Sequence, residues 1–260
     1  MTEPPQVRQR AVSFERVFAT PTTRVRDRVW REVFGAEYPE GVDPFSYVTT
    51  TDLTRIVEEC QIGPGDLLVD VGCGRGGPGL HVAERTGARL LGLDPTPAAV
   101  AAARTAARDR RVIATFRLGE FAAVPVEDEG ARAVMSVDAL TFAGDKTAAL
   151  HELARILVPG GRLLITSWDY RATPAGRPPQ VDDHRPLLVA AGFEVLAYEE
   201  TERWRELWTG TNLALISAER DLAVEVGADA AAREVEGLRR QLVGQIPLAT
   251  RRVLMIARRA

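Results

Sequence analysis

The stretch Leu67-Leu68-Val69-Asp70-Val71-Gly72-Cys73-Gly74-Arg75-Gly76-Gly77 decides the fold of this chain. Its first five residues, 67–71, predict a buried strand with an acid near its end. The glycines that follow predict a tight turn, after which a helix begins at about Gly77. At the carboxyl edge of a parallel sheet, such a turn leaves bare backbone against which a polar ligand can lie.

This glycine turn fits two kinds of nucleotide site. The GxGxxG pattern of dinucleotide sites is matched by Gly72, Gly74 and Gly77. The DxGxGxG pattern, which is typical of S-adenosylmethionine (SAM) sites, is matched by Asp70, Gly72, Gly74 and Gly76. The turn alone therefore leaves a nicotinamide or flavin cofactor and SAM both open.

Two acids near the turn bear on that choice. Asp94 ends the predicted second strand, where a carboxylate accepts hydrogen bonds from the ribose hydroxyls of either cofactor. A helix-capping role in the turn Asp94-Pro95-Thr96-Pro97 is the alternative for this residue. Asp70 separates the two cofactors, because a carboxylate there repels a pyrophosphate and attracts the ammonium and sulfonium groups of SAM.

Helices and strands alternate regularly on both sides of the turn. Strands are predicted at about 67–71, 89–93, 112–118, 133–137, 162–168 and 193–198, with a last strand at 253–257. A helix over 51–59 is expected to have Thr51 or Asp52 near its N-cap. Others are expected at 77–86, 97–110, 145–157 and 185–191. This alternation predicts an α/β fold with a doubly wound, mostly parallel, seven-stranded sheet.

The alternating region and its flanks predict that the chain is organised in four parts. They are an N-terminal helical cap or lid (1–60), an α/β nucleotide-binding core (61–202), a helical insertion over the substrate (203–248) and a final core strand (249–260).

Composition limits the partners and the setting. The 260 residues carry a net charge of -3, which argues against a nucleic-acid partner, since that would need a basic face. No apolar run approaches the roughly 20 residues that span a bilayer, and residues 1–10 lack an apolar signal-peptide core. Two cysteines in a chain of this size favour a reduced, cytoplasmic setting. No metal site is expected.

Three further segments resemble the class I SAM-dependent methyltransferases. They are Leu118-Gly119-Glu120-Phe121 followed by Val124-Pro125, then Met135-Ser136-Val137-Asp138-Ala139-Leu140, and Leu153 to Gly161 with its Pro159-Gly160-Gly161 ending. The resemblance runs from about Asp66 to Trp168. It implies that the carboxylate of Glu120, where the family more often has Asp, accepts the adenine amino group and that the amide of Phe121 meets the ring. It also implies a SAM site formed by Asp70, Gly72, Gly74, Asp94, Pro95, Gly119, Glu120, Phe121, Val137 and Asp138, with S-adenosylhomocysteine as product.

The flanks resemble the small-molecule, natural-product branch of that family. The segments Phe34-Gly35-Ala36-Glu37-Tyr38-Pro39 and Ser46-Tyr47-Val48-Thr49 look like its N-terminal cap. The resemblance implies methyl transfer to an O, C or N atom of a small metabolite, by a monomer or a homodimer. The alternative is a related fold recruited for a cyclisation that keeps SAM as a structural ligand.

Methyl transfer needs alignment and water exclusion more than any one catalytic residue. His184 follows the proline-rich loop 169–182 and is the candidate general base. The alternative for this residue is a helix cap formed with Asp182 and Asp183. Five aromatic residues are candidates for a flat apolar pocket: Tyr47, Phe142, Trp168, Trp204 and Trp208. Plain packing is the alternative for each of them.

Overall fold

One seven-stranded sheet organises the chain. The computed structural model describes residues 14–15, 17–20 and 22–260. Its strands are β1 (Leu67–Val71), β2 (Arg89–Asp94), β3 (Ala114–Leu118), β4 (Ala131–Val137), β5 (Leu157–Tyr170), β6 (Phe193–Glu200) and β7 (Ala249–Arg259). The strand order is β3-β2-β1-β4-β5-β7-β6, and only β7 runs antiparallel to its neighbours. The predicted fold class is confirmed.

Nine α-helices accompany these strands in the described residues 22–260. They are α1 (Arg24–Phe34), α2 (Thr50–Glu59), α3 (Gly77–Thr86), α4 (Pro97–Arg110), α5 (Lys146–Ile156), α6 (Arg185–Ala190), α7 (Trp204–Ser217), α8 (Glu219–Val226) and α9 (Ala228–Gly244). Short 3-10 turns cover Gly35–Glu37 and Leu140–Phe142. Among the described residues, no helix combines the length and the apolar character needed to cross a membrane.

Two element boundaries differ from the sequence-based expectation for physical reasons. Helix α2 is capped by Thr49 rather than by Thr51 or Asp52, because Thr49 and Asp52 form a reciprocal capping box. Strand β5 begins at Leu157 rather than at 162, because Leu157 pairs with Ala131 before a register shift brings Arg162 opposite Ala133.

Helices cover both faces of the sheet. The apolar residues of α2, α3 and α4 pack with Leu68, Phe116 and Met135 on one face. Those of α5 and α6 pack with Val69, Val134 and Ile165 on the other face. The carboxyl ends of the five parallel strands, β1 to β5, meet at one edge of the sheet.

The helix before the sheet packs against the helices inserted before β7. Val29, Trp30 and Phe34 of α1 lie in one buried cluster with Leu207 of α7 and Leu238 of α9. At the start of α1, the carboxylate of Glu225 accepts the backbone N–H groups of residues 24 and 25. The two flanking regions thus share a core of their own. Of the predicted cap, residues 1–13, 16 and 21 lie outside the described residues.

Candidate functional site

The glycine turn connects β1 to α3 in a conformation that only glycine adopts readily. Gly72, Gly74 and Gly76 have φ values of 75°, 52° and 81°. The N–H groups of Gly72 and Cys73 both donate to the carbonyl of Leu93, at 2.8 and 2.9 Å. A Cβ on Gly72 would lie 2.3 Å from the Cβ of Ala139, so the turn also needs glycine for close packing.

Asp70 lies directly behind this turn and is 1% exposed. Neither of its carboxylate oxygens has a side-chain partner or a hydrogen bond of normal geometry among the described residues, although the nearby backbone N–H of Gly79 opposes the rise of its pKa. A Cβ on Gly79 would stand 2.6 Å from Oδ2, so the carboxyl group faces the first turn of α3. Burial, and then the nearby charge of Asp94, raise the pKa of Asp70 to about 7. An acid in this state is ready to receive a cationic partner.

Asp94 ties the glycine turn to the end of β2. Its Oδ2 accepts the N–H of Gly74 at 2.9 Å, and its Oδ1 accepts the N–H of Thr96 at 2.9 Å. Burial raises the pKa of this carboxyl group. Each oxygen keeps a second lone pair, so this turn-bracing role leaves capacity for a ligand hydroxyl.

The remaining predicted cofactor residues after β2 and β3 line the same edge. Gly119 donates its N–H to the carbonyl of Asp94 at 3.2 Å. The Phe121 ring lies 3.9 Å from the position of a Cβ on Gly72, so it flanks the turn. Pro95 and Glu120 are exposed beside them. The structure therefore brings these four residues together with Asp70 and the glycines at one sheet edge.

Val137 and Asp138 end β4, and Asp138 is held inside a buried ionic network. The Asp138 carboxylate accepts hydrogen bonds from Thr166 Oγ1 (2.8 Å), Arg252 Nε (2.9 Å) and the N–H of Tyr47 (2.9 Å). Arg252 also donates to Asp52 at 2.7 Å. Asp138 thus joins the core, the final strand and the segment before α2 in addition to its place at the cofactor edge.

Four of the five predicted pocket aromatics lie in one buried group, here called the aromatic cluster: Tyr47, Trp168, Trp204 and Trp208, together with Tyr170. The Trp168 and Trp208 rings are 5.1 Å apart, and Tyr47 lies 6.1 Å from Trp168 and 5.7 Å from Trp208. These centroid distances and inclined planes are typical of favourable aromatic packing. The cluster lies between β5 and the inserted helices.

Phe142, the fifth aromatic, belongs to a second group that covers the glycine turn. Its ring is 4.9 Å from that of Phe14, and Phe18 is 4.8 Å from Phe45. A Cβ on Gly74 would stand 3.4 Å from the Phe18 ring, so the segment before α1 lies over the turn. The Arg75 side chain anchors that segment through Thr22 and Asp43, both at 2.7 Å.

His184 lies away from both aromatic groups and is fully buried. Its Nδ1 is 2.8 Å from Asp169 Oδ1, and Asp169 also accepts the hydroxyl of Tyr198 (2.7 Å) and Nε of Arg251 (2.5 Å). Asp169 packs on the α6 face of β5, whereas Trp168 and Tyr170 point to the opposite face. The expectation that His184 stands at the substrate edge is therefore not met, and this placement favours a structural role.

Comparison with known proteins agrees with this geometry. A model of the family described as "Methyltransferase domain" matches residues 69–165, which run from β1 into β5. Residues 69–165 are thus similar to this methyltransferase domain family. The resemblance predicted from the three sequence segments is confirmed.

Relatives of this methyltransferase domain act on small molecules. The chain is 31% identical to the chloroplastic tocopherol O-methyltransferase of Arabidopsis thaliana over 57% of this chain and 48% of that protein. It is 27% identical to the 27-O-demethylrifamycin SV methyltransferase of Amycolatopsis mediterranei over 86% of this chain and 82% of that protein. The matches span about half or less of the length of the first three curated relatives.

Among solved structures, the cyclase SpnF has a similar fold. The TM-score is 0.71 with 23% identity, covering 90% of this chain and 92% of that one. At this identity the similarity concerns the fold.

Several residues next to the candidate site carried little or no signal in the sequence. Arg252 is 1% exposed at the start of the apolar run 253–257, and a lone charge beside such a run is the signal that could have found it. Tyr170 follows Trp168 by two residues on the same strand face, and strand periodicity could have added it to the pocket candidates. Phe14 and Phe18 carried no comparable signal.

Proposed function

We propose that this protein transfers the methyl group of SAM to a small aromatic or polyketide-like metabolite. The observation that carries the proposal is Asp70, a buried carboxyl group without a partner, behind a turn of left-handed glycines. Buried polar groups without partners are rare in native proteins, and a cationic amino-acid ligand would satisfy this one.

The donor site proposed here uses the residues of the sheet edge. Asp70 faces the ammonium and sulfonium end of the donor, Asp94 the ribose, and Glu120 and Phe121 the adenine. Gly72, Gly74, Pro95, Gly119, Val137 and Asp138 form the surrounding walls. When bound, SAM supplies an activated methyl group whose leaving group needs no protonation. The protein must therefore align the acceptor and exclude water.

Exclusion of water is the proposed role of the flanking regions, 1–60 and 203–248. Their shared apolar cluster and the segment over the glycine turn support this division into lid and core. Opening would separate that cap from Asp138 and Arg75, which hold it by hydrogen bonds at 2.9 and 2.7 Å.

The setting and assembly are proposed from the cysteines, the net charge and a relative. Cys60 and Cys73 are both buried free thiols, which fits a reducing cytoplasm. The net charge of -3 fits a small-molecule partner rather than nucleic acid. A role in natural-product biosynthesis rests on the rifamycin-type relative, and we propose a monomer or a homodimer.

Calorimetry and product analysis test the donor. We expect SAM and S-adenosylhomocysteine to bind, NAD(H) not to bind, and S-adenosylhomocysteine to accumulate when SAM and a suitable acceptor are supplied. Binding of NAD(H) without SAM would overturn the proposal.

Asp94→Asn tests the ribose contact. We expect SAM binding to weaken by about 1–3 kcal/mol, because a carboxylate acceptor for the ribose hydroxyls is lost while the side-chain shape remains. Asp66→Asn is the matched control, since Asp66 braces a different turn by accepting the N–H of Gly63. Equal affinities of the two variants would mean that Asp94 only braces the turn.

A cyclase is the second candidate, supported by the overall similarity to SpnF and by a buried His184 that is not placed as a base. SAM would then bind without turnover. Conversion of a polyene substrate with no S-adenosylhomocysteine formed would favour this function over methyl transfer.

A further inference from the structure

The aromatic cluster contains two buried donor groups that make no hydrogen bond to the described residues. The sequence has four tryptophans and four tyrosines, and all eight lie in the described part of the chain. Six of their N–H and O–H groups have protein partners; the six are Trp30, Trp204, Trp208, Tyr38, Tyr47 and Tyr198. The two without a partner at hydrogen-bond distance are Trp168 and Tyr170. The Thr141 side chain lies near the Tyr170 hydroxyl and lowers its pKa, in opposition to the larger effect of burial, but it does not complete a hydrogen bond of normal length.

These two side chains are neighbours on one strand face. Trp168 and Tyr170 are two residues apart on β5 and share the cluster with Trp208. They are 6% and 2% exposed, so solvent does not satisfy them. Two adjacent exceptions among eight groups require an explanation, and a ligand that supplies a hydrogen-bond acceptor provides one.

A third donor stands beside them on β7. Arg252 is paired in register with Trp168, and its Cζ lies 5.8 Å from the Trp168 ring. Its Nε and Nη1 bind Asp138 and Asp52, but the buried Nη2 has no partner among the described residues. The indole and guanidinium groups can only donate, so the ligand atoms that they bind must be acceptors.

The charges around Arg252 limit which kind of ligand acceptor atom can bind there. The single positive charge of Arg252 is already paired with two carboxylates, those of Asp52 and Asp138, at 2.7 and 2.9 Å. A ligand carboxylate would place another negative charge next to this set, and a ligand ammonium would meet donors only. A neutral oxygen fits both constraints.

We propose that the N–H and O–H groups of Trp168, Tyr170 and Arg252 donate hydrogen bonds to a carbonyl oxygen of the substrate. The substrate is then a neutral aromatic ketone, quinone or ester. This inference rests on the proposed function, because it takes the aromatic cluster as the acceptor side of the methyltransferase. Hydrogen bonds to the carbonyl withdraw electrons and make an adjacent enol or phenol more acidic. The enol or phenol then loses its proton to a water molecule before the site closes, and the resulting enolate or phenolate, stabilised by these donors, is the nucleophile. No protein base is needed, which fits the burial of His184 on the opposite face of β5.

Matched probes test the class of ligand. 1-Tetralone has the carbonyl, tetralin has the same rings without it, and 1,2,3,4-tetrahydro-1-naphthoate is the anionic analogue. With S-adenosylhomocysteine present, we expect calorimetry to show 1-tetralone binding at least about tenfold more tightly than tetralin or the naphthoate. We also expect the carbonyl ¹³C resonance of labelled 1-tetralone to move downfield on binding.

Tyr170→Phe tests the donor itself and separates it from a structural role. Loss of the Tyr170 hydroxyl should weaken 1-tetralone binding by about fivefold to tenfold and leave tetralin binding unchanged. In the ligand-free protein, removal of a buried hydroxyl without a partner should raise the unfolding midpoint by about 2–4 °C. Tyr38→Phe is the control, because its hydroxyl is bound to Asp27 at 2.6 Å; it should lower the midpoint and leave 1-tetralone affinity unchanged.

Three results would overturn the inference: equal binding of 1-tetralone and tetralin, preferential binding of the naphthoate, or a Tyr170→Phe midpoint that falls as in Tyr38→Phe. Failure of the proposed function is a separate result, because it appears as no binding of SAM or S-adenosylhomocysteine in the same calorimeter.

Discussion

At the residue scale, the Asp70 carboxyl group is both costly and useful. It is buried without a hydrogen-bond partner, so the ligand-free protein holds it protonated until neutral pH. A raised folded-state pKa means that stability is fully present below the unfolded value of 3.8 and is lost as pH rises through about 7. The cationic methyl donor SAM would stabilise the same carboxylate, so Asp70 would contribute part of the free energy of SAM binding.

Asp70→Asn should therefore remove a pH dependence. Relative to the variant, the wild-type protein should lose on the order of 4 kcal/mol of unfolding free energy between pH 4 and pH 8, as the raised pKa implies. Urea unfolding of both proteins across this range measures the difference, with Asp66→Asn as control. Parallel curves for wild type and Asp70→Asn would show that Asp70 titrates normally.

At the scale of elements, the β1–α3 turn is shaped by backbone and packing together. Gly72 has φ 75°, and its missing side chain lets Ala139 of the β4 turn approach. Two adjacent N–H groups of this turn also share the Leu93 carbonyl of β2. The ends of three strands are thus held in one arrangement, which is what a preformed nucleotide site requires.

Gly72→Ala should disrupt that arrangement. The left-handed backbone costs about 1–2 kcal/mol, and relief of the 2.3 Å approach to Ala139 costs more. We expect lower stability in urea and loss of SAM affinity by calorimetry. Gly144→Ala is the control, because that position has open space and no left-handed φ. Adding Ala139→Gly to Gly72→Ala should restore most of the loss, and absence of any rescue would contradict the packing explanation.

At the scale of the whole molecule, Arg252 holds three regions together. It joins β7 to Asp52 of α2 and to Asp138 after β4, across sequence separations of 200 and 114 residues. Asp138 in turn accepts the N–H of Tyr47, so the segment that leads into α2 is fixed to the cofactor edge. A buried network of this kind costs desolvation, and it specifies one arrangement of cap and core.

Arg252→Met should leave two buried carboxylates without their cation. We expect the free energy of unfolding to fall by about 3–5 kcal/mol, measured in urea. Arg258→Met is the matched control on the same strand, since Arg258 pairs with Glu194 at an exposed site and should change stability by about 0–1 kcal/mol. Arg252→Lys keeps the charge and should lie between the two. A loss for Arg252→Met no larger than for Arg258→Met would contradict this role.

The sequence by itself determined the α/β class, the seven-stranded sheet and the resemblance to the methyltransferases, and it predicted the cofactor edge, because these depend on local pattern. Strand periodicity, the glycine turn and the acids at strand ends are contiguous features, and neighbouring parallel strands bring them to one edge. Only the tertiary structure decided which distant side chains pair. It placed His184 beneath the sheet with Asp169, buried Arg252 between two acids, and left Trp168 and Tyr170 without partners. Those outcomes depend on desolvation and on tertiary contacts, which span 114 and 200 residues for Arg252, and no local pattern contains them.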